Sequence, residues 1–195
     1  MAGNILEKDL TLDIAQRVDR LLGVQGISTL QTRAGDSYVS LIDRTQLINR
    51  ANDAIVVSIH FDHGPRPDVS GIETYFAAQQ TTGIPTIASW LPFLQNIANV
   101  RPNLESQSLA QFIQQQLVAH TQAINRGTKA EQFYVLANVR HPAVLVEGGF
   151  LTNKNEIGKL LDANYREQLA VAISDAILKY RDTIEASDSA DGTSP

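Results

Sequence analysis

"AIVVSIHFDHG", Ala54 to Gly64, is an apolar run that ends on a histidine, with an aspartate and a second histidine close behind. Ala54 to His60 is apolar nearly throughout, as an interior strand of a sheet covered on both faces should be. "PAVLVEGG", Pro142 to Gly149, has the same character and runs into Glu147. "GIETYFA", Gly71 to Ala77, alternates Ile72, Thr74 and Phe76 against Glu73 and Tyr75 and reads as another strand. "FYVLA", Phe133 to Ala137, reads as a further strand, and Ile27 to Arg33 as a short β-rich stretch. Helical stripes fall between them. Leu10, Ile14, Val18, Leu21 and Leu22 share one face, with Asn4 and Glu7 as a capping pair and Gly23 as the stop. A second helix spans about Leu41 to Ala51, a third carries Leu109, Phe112, Ile113 and Leu117, and the last carries Leu169, Ile173, Ala176, Ile177 and Tyr180. Strands alternating with helices imply an α/β fold of three layers, a mostly parallel sheet flanked by helices.

Composition bounds the function. With 195 residues, 43% hydrophobic and 19% charged, the chain is an ordinary globular domain. A net charge of −5 argues against nucleic acid as a partner, since phosphates need a basic face. There are no cysteines, which excludes disulfides and thiolate metal sites, so any metal must be held by histidine and carboxylates. No apolar run approaches the ~18 residues of a membrane span. "MAGNILEKDL" lacks the basic start and apolar segment of a signal peptide. One domain is expected over 1–184, interrupted at 79–105 by an insertion or lid that holds Pro85, Pro92, Pro102 and Trp90 without a clear period. Residues 185–195, acidic, small and polar, are expected to be a disordered tail.

In open α/β sheets, sites gather at the carboxyl ends of strands, where His60 and Glu147 fall. Glu7 sits at a helix start that a chain leaving such an edge would reach. Read alone, Glu7 is a helix-start carboxylate favoured by the dipole, and His60 is either a satisfied strand-end histidine or a ligand. Glu147 is harder to treat as structural, because an unpaired carboxylate at the rim of an apolar strand costs several kcal/mol. Gly148 and Gly149 beside it allow backbone or ligand to approach. His63 falls on the opposite strand face from His60 unless Gly64-Pro65 has already turned the chain, so it stays a candidate third ligand. His120, at helical spacing from Ile113 and Leu117, and His141, before Pro142, read as structural or exposed.

Six motifs then occur in order: "EKDLTLDIA" (Glu7–Ala15), "TRAGD" (Thr32–Asp36), "SLIDRTQLIN" with "AN" (Ser40–Asn52), "SIHFD" (Ser58–Asp62), "GIETYF" (Gly71–Phe76) and "PAVLVEGGFLTN" (Pro142–Asn153). Together they resemble the zinc-dependent N-acetylmuramoyl-L-alanine amidases of the Amidase_3 type, over about Glu7 to Tyr180. The resemblance implies zinc held by Glu7 and His60, Glu147 as general base, and cleavage of the amide between N-acetylmuramic acid and L-alanine of the stem peptide. It also implies a bacterial envelope location and peptidoglycan as partner, with a protein activator as a second candidate partner. Asp62 stands where the family commonly has asparagine. The family's first zinc histidine lies in a "GHGG"-like turn upstream of the ligand glutamate, whereas here six residues precede Glu7 and none is histidine. Three expectations follow: a shortened enzyme, a relative that binds wall without cutting it, or His63 as the third ligand.

Overall fold

The computed structural model describes residues 6–80 and 103–191. In chain order the elements are α1 (Glu7–Val24), α2 (Leu41–Ile48), β1 (Val56–Asp62), β2 (Ile72–Phe76), α3 (Leu104–Thr121), β3 (Asn125–Ala130), α4 (Tyr134–Ala137), β4 (Ala143–Phe150), α5 (Lys154–Leu161) and α6 (Ala163–Asp191). The sheet order is β1-β4-β2-β3. Two parallel pairs, β1 with β4 and β2 with β3, are joined by an antiparallel contact between β2 and β4. The sheet is therefore mixed, with its one antiparallel pairing at the centre.

Helices cover both faces, giving the expected three layers. On one face, the α1 stripe Leu10, Ile14, Val18 and Leu22 packs with Leu109, Ile113 and Leu117 of α3, Leu169, Ile173 and Ile177 of α6, and Val144 and Val146 of β4. On the other face, Val135 and Leu136 of α4 pack with Leu145 and with Ile48 at the end of α2. The second cluster is small, and beyond it this face of the sheet is open. That opening is where the polar side chains of β1, β4 and β2 meet.

Several sequence expectations change. "FYVLA" is not a strand: Tyr134–Ala137 forms the short α4, which turns Val135 and Leu136 inward onto the sheet. A short apolar run has no period by which strand and helix can be told apart. The strand that was missed is β3, "NRGTKA", a polar edge without an apolar signal. Ile27 to Arg33 has no regular structure, being tied to α1 by side chains instead, with Arg33 donating to Thr11 Oγ1 at 2.9 Å. Helix α1 runs past Gly23 to Val24, and Gly26 rather than Gly23 makes the left-handed turn that stops it. Gly26 takes φ 75°, and Ile27 N–H closes onto Leu22 C=O at 3.0 Å. Leu6 is the residue capping α1, without a side-chain bond, while Asn4 lies outside the described residues. Most of the 79–105 segment, including Trp90, also lies outside them. The segment expected to be a disordered tail continues α6 to Asp191. There the Ser187 and Ser189 hydroxyls donate to carbonyls one turn back, and Arg181 reaches Glu185 at 3.8 Å.

Candidate active site

The register of the sheet assembles the site. His60 of β1 pairs with Glu147 of β4, and Glu147 in turn pairs with Glu73 of β2. Directly paired residues project to the same face, so an imidazole and two carboxylates stand in one row across three strands. Two residues back, Ser58, Leu145 and Tyr75 form the next row. Past Glu147 the register slips: β4 advances three positions, from Glu147 to Phe150, where β1 advances two, from His60 to Asp62. This β-bulge falls on Gly148-Gly149, and Gly149 takes φ 149°. A Cβ on Gly148 would sit 2.9 Å from Phe61 Cε1, so the group in close approach there is a core ring.

Helix α1 brings a fourth group. Its first residue, Glu7, does not reach back to cap the helix but turns to β1. Glu7 Oε1 lies 3.0 Å from His60 Nδ1 and accepts the Phe61 N–H at 3.3 Å. The far ring nitrogen, His60 Nε2, lies 3.0 Å from Ser58 Oγ. The imidazole is thus held at both ends. The His60 contact holds the Glu7 carboxyl below its ordinary range against the effect of burial, helped by the Phe61 amide and the charges of His60 and His63.

Glu147 behaves in the opposite way. Its Oε2 is buried and has no hydrogen-bond partner. Burial, followed by the negative charges of Asp62, Glu7 and Glu73, pushes its carboxyl up to about 8. Two neighbouring carboxyls with pKa values driven apart are the pattern of an acid–base site.

His63 is exposed in the loop past β1. Among the described residues no group of three or more histidines, aspartates and glutamates gathers into a metal cluster. Glu7 Oε1 and His60 Nδ1, a carboxylate oxygen and an imidazole nitrogen facing each other at 3.0 Å, are donors of the types that could hold one zinc ion between them. His120 and His141 stay outside the site. His120 Nε2 pairs with Asp175 Oδ2 at 3.0 Å between α3 and α6, and His141 is buried at the start of β4.

A neighbouring group was missed by sequence reading. Glu73, 2% exposed, accepts Arg126 Nε at 2.8 Å and Lys129 Nζ at 2.5 Å on Oε2, and the Tyr75 hydroxyl on Oε1. The Glu73/Tyr75 alternation in "GIETYF" put both on one face, but nothing marked "NRGTKA" as the strand beside it. Burial would raise the Glu73 carboxyl, but the Lys129, Tyr75 and Arg126 bonds together hold it below its ordinary range.

Comparison with known proteins places this arrangement in a lineage. Residues 1–179 match Amidase_3, N-acetylmuramoyl-L-alanine amidase. The N-acetylmuramoyl-L-alanine amidase LytC of Bacillus subtilis is 32% identical over 180 residues, which is 92% of this chain but 32% of LytC, so the chain spans about a third of that relative. Among solved structures, the amidase AmiC2 of Nostoc punctiforme superposes with TM-score 0.76 at 31% identity, covering 93% of this chain and 87% of that one. The CwlD amidase of Clostridioides difficile, solved in complex with the GerS lipoprotein, gives TM-score 0.76 at 26% identity, covering 91% of this chain and 87% of CwlD. The six sequence motifs, the mixed sheet and the family match over nearly the whole chain agree, and the chain belongs to the Amidase_3 family of N-acetylmuramoyl-L-alanine amidases.

Proposed function

We propose that the chain is a peptidoglycan hydrolase that cleaves the amide between the lactyl group of N-acetylmuramic acid and L-alanine of the stem peptide, with zinc held by Glu7 and His60 and Glu147 as general base. The observation that carries this reading is the Glu7–His60 pair, 3.0 Å apart, beside a buried Glu147 oxygen that has no partner. Zinc bound there supplies Lewis acidity toward the amide carbonyl and the attacking water.

The remaining chemistry belongs to this chain's own residues. In its ionised form the Glu147 carboxylate accepts a proton from water as the water oxygen bonds to the carbonyl carbon. The same carboxyl returns that proton to the nitrogen as the carbon–nitrogen bond breaks, releasing a muramic acid carboxylate and a free L-alanine amine. Ser58, at Nε2 of His60, fixes the imidazole's orientation and leaves Nδ1, which faces Glu7, as the nitrogen that would meet the zinc. The buried run Val144 to Val146 anchors β4 in the core up to Glu147, and Gly148 lets Phe61 pack closely on the opposite face of the strand.

One further reading is favoured by a specific observation. Glu7 and His60 are two ligands, and no three-ligand cluster occurs among the described residues, which suits a wall-binding or regulatory module without catalysis. Mass spectrometry of purified peptidoglycan incubated with the chain and zinc separates the two. New N-terminal L-alanine and free muramic acid lactyl ends are expected; retention on the wall with neither product would leave the binding module. A bacterial envelope location, where peptidoglycan lies, belongs to the same proposal. So does activation by a partner protein, supported by the CwlD–GerS complex.

A further inference from the structure

Next to the hydrolytic group, the same sheet face carries a cationic group to which the proposed mechanism gives no role. Arg126 and Lys129, both on β3, converge on one oxygen of Glu73. Each is fixed a second time by an aromatic ring: the Arg126 guanidinium lies 5.0 Å from the Phe150 centroid and Lys129 Nζ lies 5.5 Å from that of Tyr75. Between Ile72/Asn125 and Thr74/Thr128 the pairing slips by one residue, a bulge centred on Arg126 and on Gly127, which takes φ 80°. Bulges of this kind re-aim a side chain.

One cation would neutralise Glu73; two leave a surplus positive charge. The Arg126 and Lys129 side chains are 33% and 41% exposed, although the carboxylate that they share is 3% exposed. Both therefore reach from a buried anchor to solvent. No terminal guanidinium nitrogen of Arg126 has an acceptor among the described residues, and Lys129 Nζ has Glu73 alone. These two side chains offset a site otherwise crowded with the negative charges of Glu7, Asp62 and Glu73, which would repel an anionic ligand.

Distance along the sheet sets what they can meet. Strands lie about 4.8 Å apart, so β3 stands two strands, roughly 10 Å, from β4 and Glu147, and the cation heads reach back across β2 to Glu73, one strand from Glu147. In a stem peptide the residue after L-alanine is acidic. Its carboxylate lies about 6 Å from the scissile nitrogen by ordinary backbone dimensions. We propose that Arg126 and Lys129 form a subsite for the free α-carboxylate of that second stem residue, on the leaving-amine side of the cut. This proposal rests on the reading of the chain as an amidase. The subsite selects stem peptides that carry the acid over those in which it is amidated, and Glu73 positions both cations.

Calorimetric titration of the full chain tests this, in a Glu147→Gln background that leaves the ligand intact. The probes are N-acetylmuramoyl-L-alanyl-D-isoglutamate and its isoglutamine counterpart, identical except for carboxylate against amide. The acid is expected to bind at least about tenfold more tightly, as charge-assisted contacts imply. The preference is expected to vanish in Lys129→Gln, and in the triple variant Glu73→Gln/Arg126→Gln/Lys129→Gln, where no charge is left unpaired if the single variant folds poorly. Equal binding of acid and amide, a preference that survives in both variants, or no binding of either probe would overturn the subsite. Incubating both probes with the unsubstituted chain keeps the two claims apart. Cleavage without acid preference upholds the amidase and removes the subsite; acid preference without cleavage does the reverse.

Discussion

At the scale of single residues, the proposed site gives two carboxyls opposite surroundings. Glu7 keeps its charge because His60 and the Phe61 amide bond to it, whereas Glu147 is buried without a donor. Glu147→Gln removes the proton acceptor while preserving shape. It is expected to cut amide hydrolysis roughly 10²- to 10⁴-fold with no loss of melting temperature, since an amide has no charge to desolvate; steady-state rates beside a thermal melt check both. Glu73 is expected to act on stability instead. Its carboxyl sits below its ordinary value of 4.5, so its contribution is complete above that pH and fades as pH falls through the folded value. Glu73→Gln should therefore lower stability at pH 7 by about 2 kcal/mol and flatten the loss of stability on acidification. Denaturant titrations at pH 7 and pH 3 read both, and a chain whose acid sensitivity is unchanged by the substitution would refute this assignment. Glu147 and His60 were legible because each stands out at the end of an apolar run. Arg126 and Lys129 were not, because their partner is 53 or 56 residues away and their strand is polar.

Among the elements, legibility follows periodicity. The stripes of α1, α3 and α6 bury the residues that their spacing marks: Leu10, Ile14 and Val18; Leu109, Ile113 and Leu117; Leu169, Ile173 and Tyr180. Strands β1, β2 and β4 were equally plain, though β1 runs two residues past His60 to Asp62. The failures have two causes: the five apolar residues of "FYVLA" carry no decisive period, and "NRGTKA" carries no apolar signal at all. In α4, Leu136 is 0% exposed while Phe133, the residue before the helix, is 39% exposed. Leu136→Ala is expected to cost about 2–5 kcal/mol, and Phe133→Ala distinctly less; chemical denaturation of the two variants reads the difference. Salt-bridge pairing joins α1 to α6, where Asp13 accepts Arg166 Nε at 2.5 Å and Glu167 accepts Arg20 at 2.8 Å.

For the whole molecule, the order β1-β4-β2-β3 leaves β1 at one margin of the sheet. A groove of about 1390 Å³ runs beside it, from Glu7 and His60 to Tyr180 and Ile184, lined by Ile55, Val57 and Ile59. Strand β1 carries no lysine or proline of the kind that blunts an exposed edge. The alternation of strands and helices foretold three layers, but the antiparallel centre was invisible to it, since pairing direction depends on contacts that no local pattern encodes. That centre bears on the proposed site: β2 runs against β4 and so sets Glu73 beside Glu147 at the open end of the sheet. No described helix is long and apolar enough to cross a membrane.

The measurement that bears most directly on the proposed centre is zinc binding by the full chain, followed by titration and elemental analysis, beside His60→Ala, Glu7→Gln and Glu147→Gln. The expected result is one zinc per chain, with affinity reduced at least about tenfold in the His60 and Glu7 variants and little changed in the Glu147 variant. Zinc bound as tightly by His60→Ala and Glu7→Gln as by the unsubstituted chain would contradict the assignment of these two residues as ligands.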